Sequence, residues 1–319
     1  MKRLVRAFLV AAFIILMSAA AVAADPTKVI LDTDIGDDID DAYALGLALS
    51  SPELEILGVT TSWGATDLRA QLASRMLYET GRDDIPVVAG IRTGDERFAQ
   101  YGWAEWFHHP KVRQQDVVDF YTEEIRRYPG QITLVAIGPL TNVGALIDRD
   151  PNTFRKLKQV VIMGGNVTLE SYNGQPVTGP NPMPEYNIMK DVNAARKLFA
   201  SGVPITMAGL DATMMLKLDE AKRARLFRRS SPLTDSITVL YHLWGNTTPT
   251  LFDPMAVSIV IDPTLARLVP MHIEVDDRGV TRNIPGTPPN ALVCFDPQAD
   301  RFFDFVIQRL ISQNLHRPD

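Results

Sequence analysis

Val29-Ile30-Leu31-Asp32-Thr33-Asp34-Ile35-Gly36-Asp37-Asp38-Ile39-Asp40-Asp41-Ala42 is the stretch that decides the fold. It opens on a short, wholly apolar run, passes through an acidic loop and enters an apolar pattern at helical spacing from Asp41 to Leu49. Apolar on successive positions, the first run suits a strand buried on both faces, as in parallel sheets. Ligands of such sheets bind beyond the carboxyl ends of the strands. The loop carries six aspartates in ten positions, Asp32 to Asp41. Carboxylates packed this closely repel and raise one another's pKa unless a cation neutralises them. Oxygen-only ligands point to a hard ion such as Ca²⁺ or Mg²⁺. Asp40 is expected to cap the helix, with Asp41 in its first turn, where negative charge is favoured.

Outward from this loop the same grammar repeats. Strands are expected at Ile56 to Thr61, Pro86 to Val88, Ile132 to Ile137, Val160 to Met163 and Ile205 to Met207. Helical patterns lie between them at Thr66 to Thr80, Asp116 to Tyr128, Thr141 to Ile147 and Asn193 to Ala200. Alternation of this kind predicts an α/β chain with a mainly parallel open sheet and helices on both faces. Ser171 to Pro184 is expected to be a loop, Leu218 to Leu243 largely helical, Met271 to Val275 a strand and Ala299 to Ser312 a closing amphipathic helix. With no repeat or linker, residues 25–319 are read as one continuous domain.

The first 24 residues stand apart. Lys2, Arg3 and Arg6 precede an apolar run from Ala7 to Met17 and a small-residue end, Ala21-Val22-Ala23. This is the pattern of a cleaved signal peptide, too short to span a bilayer. It predicts a periplasmic or secreted protein without a stable membrane anchor. Loss of the leader takes the formal charge from −6 to near −9, which argues against binding a nucleic-acid polymer. A single cysteine excludes an internal disulfide and a thiolate metal cluster.

Three readings of the acidic loop compete. An EF-hand fails, because Gly36 is fifth rather than sixth and Tyr43 stands where a bidentate Glu is required. A metal-dependent phosphatase built on Asp32 and Asp34 uses two aspartates and leaves the others idle. A metal site uses more of them.

Five short segments in order, D-T-D-x-G…D-D-A from Asp32, Gly138-Pro139-Leu140-Thr141-Asn142, Met163-Gly164-Gly165, Glu185-Tyr186-Asn187 and Asp253-Pro254-Met255-Ala256-Val257, resemble the motifs of the nucleoside hydrolases, the inosine–uridine-preferring family and its relatives. The resemblance covers about Val29 to Leu310. It implies a Rossmann-like nucleoside hydrolase fold, Ca²⁺ as cofactor, a dimer or tetramer, and hydrolysis of the N-glycosidic bond of ribonucleosides to ribose and free base. The implied metal ligands are Asp34, Asp41, Asp253 and the main-chain oxygen of Ile137, with Asp34 also the catalytic base. Two extra residues, Asp37 and Asp38, leave a register in which Asp38 replaces Asp41 at the metal. Asp40, Asn181, Glu185 and Asn187 are the implied sugar-binding residues. Many relatives carry a histidine before the last metal aspartate, whereas this chain has Phe252. That departure points to the purine-preferring members, which sandwich the base between aromatic rings, with Trp103 and Phe252 as the rings; rescue by His242 or by His108-His109 is the alternative. Ala65, after Gly64, lacks the amide or carboxylate that relatives use on the sugar. The two departures leave open a catalytically weak periplasmic nucleoside-binding protein.

Overall fold

The computed structural model describes residues 25–108, 112–113, 115–168, 171–172, 175–176 and 183–317. Expectations for the leader, Asn181 and His109 therefore fall outside the described residues. The strands are β1 (Thr27–Thr33), β2 (Leu54–Thr61), β3 (Val87–Ala89), β4 (Val112–Arg113), β5 (Thr133–Ala136), β6 (Gln159–Met163), β7 (Ser171–Tyr172), β8 (Gln175–Pro176), β9 (Ile205–Ala208), β10 (Arg267–Met271), β11 (Ile273–Val275), β12 (Thr281–Asn283) and β13 (Ala291–Phe295). The helices are α1 (Asp40–Leu49), α2 (Thr66–Glu79), α3 (Val117–Arg127), α4 (Thr141–Arg149), α5 (Pro151–Phe154), α6 (Tyr186–Lys190), α7 (Val192–Phe199), α8 (Leu210–Thr213), α9 (Glu220–Phe227), α10 (Pro232–Trp244), α11 (Phe252–Ile261) and α12 (Ala299–Ser312).

Nine strands form one sheet in the order β10-β13-β9-β6-β5-β1-β2-β3-β4. All neighbours pair parallel except β10 against β13 at one edge. Val29 and Leu31 of β1 belong to one core and Ile30 to the other, so both faces of the strand are covered, as its unbroken apolar run requires. The chain runs outward from β1 through β2 and β3 to β4, then returns to place β5 on the other flank of β1. The strand order thus reverses between β1 and β5, and a crevice opens at such a point. The acidic loop leaves the carboxyl end of β1, and Ile137 follows the carboxyl end of β5.

Several expectations change in detail. Leu218 to Leu243 is two helices, because Ser231 and Thr234 form a capping box with Pro232 at the first position of a new helix. Met271 to Val275 is split between the edge strand β10 and the hairpin β11–β12. Asp40 does not cap α1; the cap position is Ile39, and Asp40 and Asp41 both sit in the first turn. Helix α11, unforeseen in the sequence, is apolar on nearly every side, and Pro254 sits in its first turn, where a missing N–H costs nothing. It packs against α1. Among the described residues no helix is long and apolar enough to cross a membrane.

Candidate functional site

A cavity of about 560 Å³ opens at the point where the strand order reverses. Its floor is acidic, with Asp34, Asp37, Asp38, Asp40, Asp41 and Asp253. Its wall is apolar: Met163, Met183, Met189, Leu210, Trp244 and Phe252. Ile137, Glu185, Tyr186 and Asn187 complete the lining.

The acidic floor is assembled from both ends of the chain. Asp40, Asp41 and Asp253 each offer a carboxylate oxygen, and these three oxygens lie within 4.8 Å of one another. The Asp253 main-chain N–H donates to Asp40 Oδ2 at 3.1 Å across 213 residues of sequence. All three are buried, at 3% exposure each. Burial, and then the neighbouring carboxylates, push the pKa of Asp40, Asp41 and Asp253 well above the carboxylate range. Thr33 Oγ1 donates to Asp41 Oδ1 and fixes that side chain. Asp34 lines the same cavity, and burial raises its pKa to about 7, opposed by Arg69 and reinforced by Asp37 and Glu185. Three clustered, desolvated carboxylates with no counter-charge among them suit a hard divalent cation. Asp38 is outside the trio and accepts from the Ile39 N–H at 2.6 Å, so the geometry groups Asp41 rather than Asp38 with Asp253.

Asp32 and Asp34 part company within two residues. Asp32 is fully buried below the floor, its Oδ1 accepting from Thr60 Oγ1 at 2.6 Å and Asn142 Nδ2 at 2.8 Å. It does not line the cavity, which removes the phosphatase pairing of Asp32 with Asp34.

Gly138 follows Ile137 and lets Asp34 come close. A Cβ there would stand 2.5 Å from Ser62 Oγ and 2.8 Å from Asp34 Oδ1. The expected metal ligand Ile137 O accepts from Asn187 Nδ2 at 3.1 Å, and Met163 O accepts from the same amide at 3.1 Å. Asn187 thus ties together the carboxyl ends of β5 and β6, and the Ile137 carbonyl keeps a second lone pair. Glu185 caps α6. Its carboxylate accepts from the N–H groups of Asn187 (2.9 Å), Ile188 (3.0 Å) and Gly165 (3.1 Å) while lining the cavity.

The expected aromatic pair is corrected by half. Phe252, at the first position of α11, lines the cavity; Trp103 does not. Trp103 packs against the core with the Arg75 guanidinium over its ring at 4.4 Å. Trp244, at the end of α10, lines the cavity instead. Nothing in the local sequence marked Trp244, because α10 is placed by packing on α1, α2 and the turn at Ala99–Trp103, all distant in sequence. His242 is exposed against Tyr241 and Phe227, and His108 contacts Gln71 Nε2 at 3.1 Å; neither lines the cavity.

Arg69 also escaped the sequence reading. It is 3% exposed and lies against the acidic loop. The available signal was a cation in the first turn of a helix, where the dipole disfavours it.

The sequence profile described as inosine-uridine preferring nucleoside hydrolase matches residues 29–304. The chain is 31% identical over 313 residues to the pyrimidine-specific ribonucleoside hydrolase RihA of Citrobacter koseri, covering 88% of this chain and 97% of the relative. It is 32% identical to RihA of Enterobacter sp. strain 638 over the same shares. Among solved structures it resembles the plant nucleoside hydrolase PpNRh1, with TM-score 0.79, 28% identity, and coverage of 90% of this chain and 100% of that one. The fold is shared with a purine-preferring ribonucleoside hydrolase from Gardnerella vaginalis, with TM-score 0.77, 24% identity, and coverage of 89% and 98%. By profile, sequence identity and fold, over most of its length, the chain belongs to the inosine-uridine preferring nucleoside hydrolase family.

Proposed function

We propose that this protein is an exported, Ca²⁺-dependent N-ribosyl hydrolase that cleaves ribonucleosides to ribose and free base, with purines preferred. The observation that carries the reading is the buried carboxylate trio closed by Asp253 from the far end of the chain. Asp41 and Asp253, with Asp34 and the Ile137 carbonyl, would hold the ion. When bound, the ion supplies a Lewis-acidic centre for the attacking water and the ribose hydroxyls.

Asp34 takes the proton from the water that adds to the anomeric carbon, as a carboxylate within reach of it can. Asp40 accepts a hydrogen bond from a ribose hydroxyl. The carboxylate floor stabilises the positive charge that builds on the ribosyl ring as the bond to the base breaks. Glu185 and Asn187 hold the sugar side of the cavity. Asn181, in the segment before α6, is assigned there by the resemblance. The departing base rests against Trp244 and Phe252. No histidine is among the described lining residues to protonate it, so stacking rather than acid catalysis falls to this wall, which favours the larger purine face. The leader-like pattern of residues 1–24 supports a reaction outside the cytoplasm, and the resemblance supports a homo-oligomer, a dimer or tetramer.

The relatives named pyrimidine-specific set up the opposite expectation for the base, and one assay separates the two. Mature protein with Ca²⁺ is given inosine, adenosine, guanosine, cytidine and uridine, and free reducing sugar is measured. Faster release from the purines supports the proposal, and faster release from cytidine or uridine reverses the base preference. Tight binding without any ribose release replaces the enzyme by a nucleoside-binding protein.

A further inference from the structure

The segment from Asp34 to Asp37 is wrapped around one side chain. Arg69, on the first turn of α2, sends Nη1 to the main-chain oxygens of Asp34 and Ile35, the latter at 3.0 Å. Its Nη2 reaches Asp37 Oδ2 at 2.6 Å, and its Nε donates to Trp63 O at 2.8 Å. The Phe98 ring covers the guanidinium at 4.8 Å. Gly36, at φ +131°, makes the turn of the arc possible, because a Cβ there would fall 2.3 Å from the Phe98 ring. Trp63 holds its carbonyl toward Arg69 from a left-handed backbone, φ +65°, unusual for so bulky a residue. Outside the arc, the buried Gln100 donates Nε2 to Asp38 O at 2.7 Å, and its N–H donates to Gly36 O at 3.2 Å.

We propose that Arg69 is a positioning residue for the metal nest: its planar fork, rather than the cation, holds the Asp34–Asp37 arc so that Asp34 faces the cavity, and Asp37 is the fork's counter-ion rather than a metal ligand. A guanidinium supplies several donors in fixed directions, which a lysine ammonium cannot copy. Pulling the Asp34 and Ile35 carbonyls to one side directs the Asp34 carboxylate to the other. This inference rests on the metal reading above and concerns what shapes the site before the ion arrives.

The sign of the effect distinguishes positioning from simple charge. A positive group near a cation site weakens binding by repulsion, so Arg69→Gln acting through charge alone would tighten Ca²⁺. Positioning predicts the reverse. Ca²⁺ affinity is measured by calorimetry on folded, metal-stripped wild type, Arg69→Gln, Arg69→Lys and Asp37→Asn, together with kcat and KM at saturating Ca²⁺. The expected result is at least tenfold weaker Ca²⁺ binding in both Arg69 variants. Their kcat falls at least tenfold while KM moves less than threefold, and Asp37→Asn keeps Ca²⁺ affinity within threefold. Unchanged or tighter Ca²⁺ binding in Arg69→Gln, or wild-type affinity in Arg69→Lys, overturns the proposal. Should the Arg69 variants fail to fold, Asp37→Asn still decides, since a tenfold loss of Ca²⁺ affinity there makes Asp37 a ligand. A wild type that binds no Ca²⁺ removes the metal reading and this inference together. A wild type that binds it while the variants match it removes this inference alone.

Discussion

The two sides of the cavity are built differently. The floor comes from the ends of adjacent strands and the first turns of α1 and α11, each pinned by hydrogen bonds: Thr33 to Asp41, the Asp253 N–H to Asp40, Arg69 to the arc. The wall comes from the tip of α10, the start of α11, and methionines and Tyr186 around α6, held chiefly by packing. Tyr186 and Met189 of this wall remain 45% and 43% exposed, whereas Asp40, Asp41 and Asp253 are each 3% exposed. Chemistry common to every nucleoside belongs on a rigid, hydrogen-bonded floor. Choice of base belongs on a wall that can be resurfaced without disturbing the sheet.

If that division holds, the floor should show the largest losses. Asp34→Asn is expected to lower kcat by about 10³-fold, in the range of a lost general base. Circular dichroism should stay native, and turnover near wild type would remove Asp34 from the chemistry. Asp253→Asn comes next, with Ca²⁺ affinity about 100-fold weaker by calorimetry and folding retained, because one of three converging carboxylates loses its charge. Unaltered binding would separate the trio from the metal.

The floor should also dominate the response to pH and metal. Asp34 has its folded pKa raised from 3.8 to about 7 when no cation is present. A raised carboxylate contributes stability that is full below its unfolded pKa and is lost as pH rises through the folded value. Metal-stripped protein is therefore expected to melt at lower temperature at pH 7.5 than at pH 5.5. Ca²⁺ at 100 times Kd adds about 2.7 kcal/mol, and the rise in Tm at fixed Ca²⁺ should be larger at pH 7.5. An equal rise at both pH values would separate metal binding from these carboxylates.

The smallest effects belong to the wall. Trp244→Ala should reduce kcat/KM about tenfold for purine nucleosides, within the cost of one lost base–aromatic stack. The loss should be smaller for pyrimidines, and equal losses would count against stacking. Trp103→Ala should change kcat/KM less than about twofold while lowering Tm, as expected for a half-buried ring that packs on Arg75 away from the cavity.

Much of the floor was legible because it is local. Asp34, Asp40 and Asp41 fall within eight residues, after a strand whose apolar run reveals its burial, and the motif around Asp253 carries its own pattern. The strands β1, β2, β3, β5, β6 and β9 were legible for the same reason, whereas β4, β7 and β8, of two residues each, were not. The helix cap was misplaced by one residue, since capping depends on backbone angles at Ile39 that composition does not encode. Arg69 was missed because its partners are mostly main-chain oxygens, which leave no trace in a sequence. Trp103 ends the turn at Ala99–Trp103 and Trp244 ends α10, and which of the two meets the cavity is settled by packing among α2, α10 and that turn.

Periodicity and motif order by themselves determined a parallel α/β sheet with an acidic loop at the end of its first strand. Both are properties of neighbours along the chain: alternation of apolar runs, and repulsion among adjacent carboxylates. The tertiary structure alone decided that the Asp253 N–H pins Asp40, that Asp32 lies beneath the floor as a structural acid, that Trp244 rather than Trp103 meets the cavity, and that one guanidinium gathers the loop. Each of these is a contact between segments distant in sequence or a choice of side-chain direction, and the energy that fixes it comes from burial and hydrogen bonding that exist only once the chain has closed.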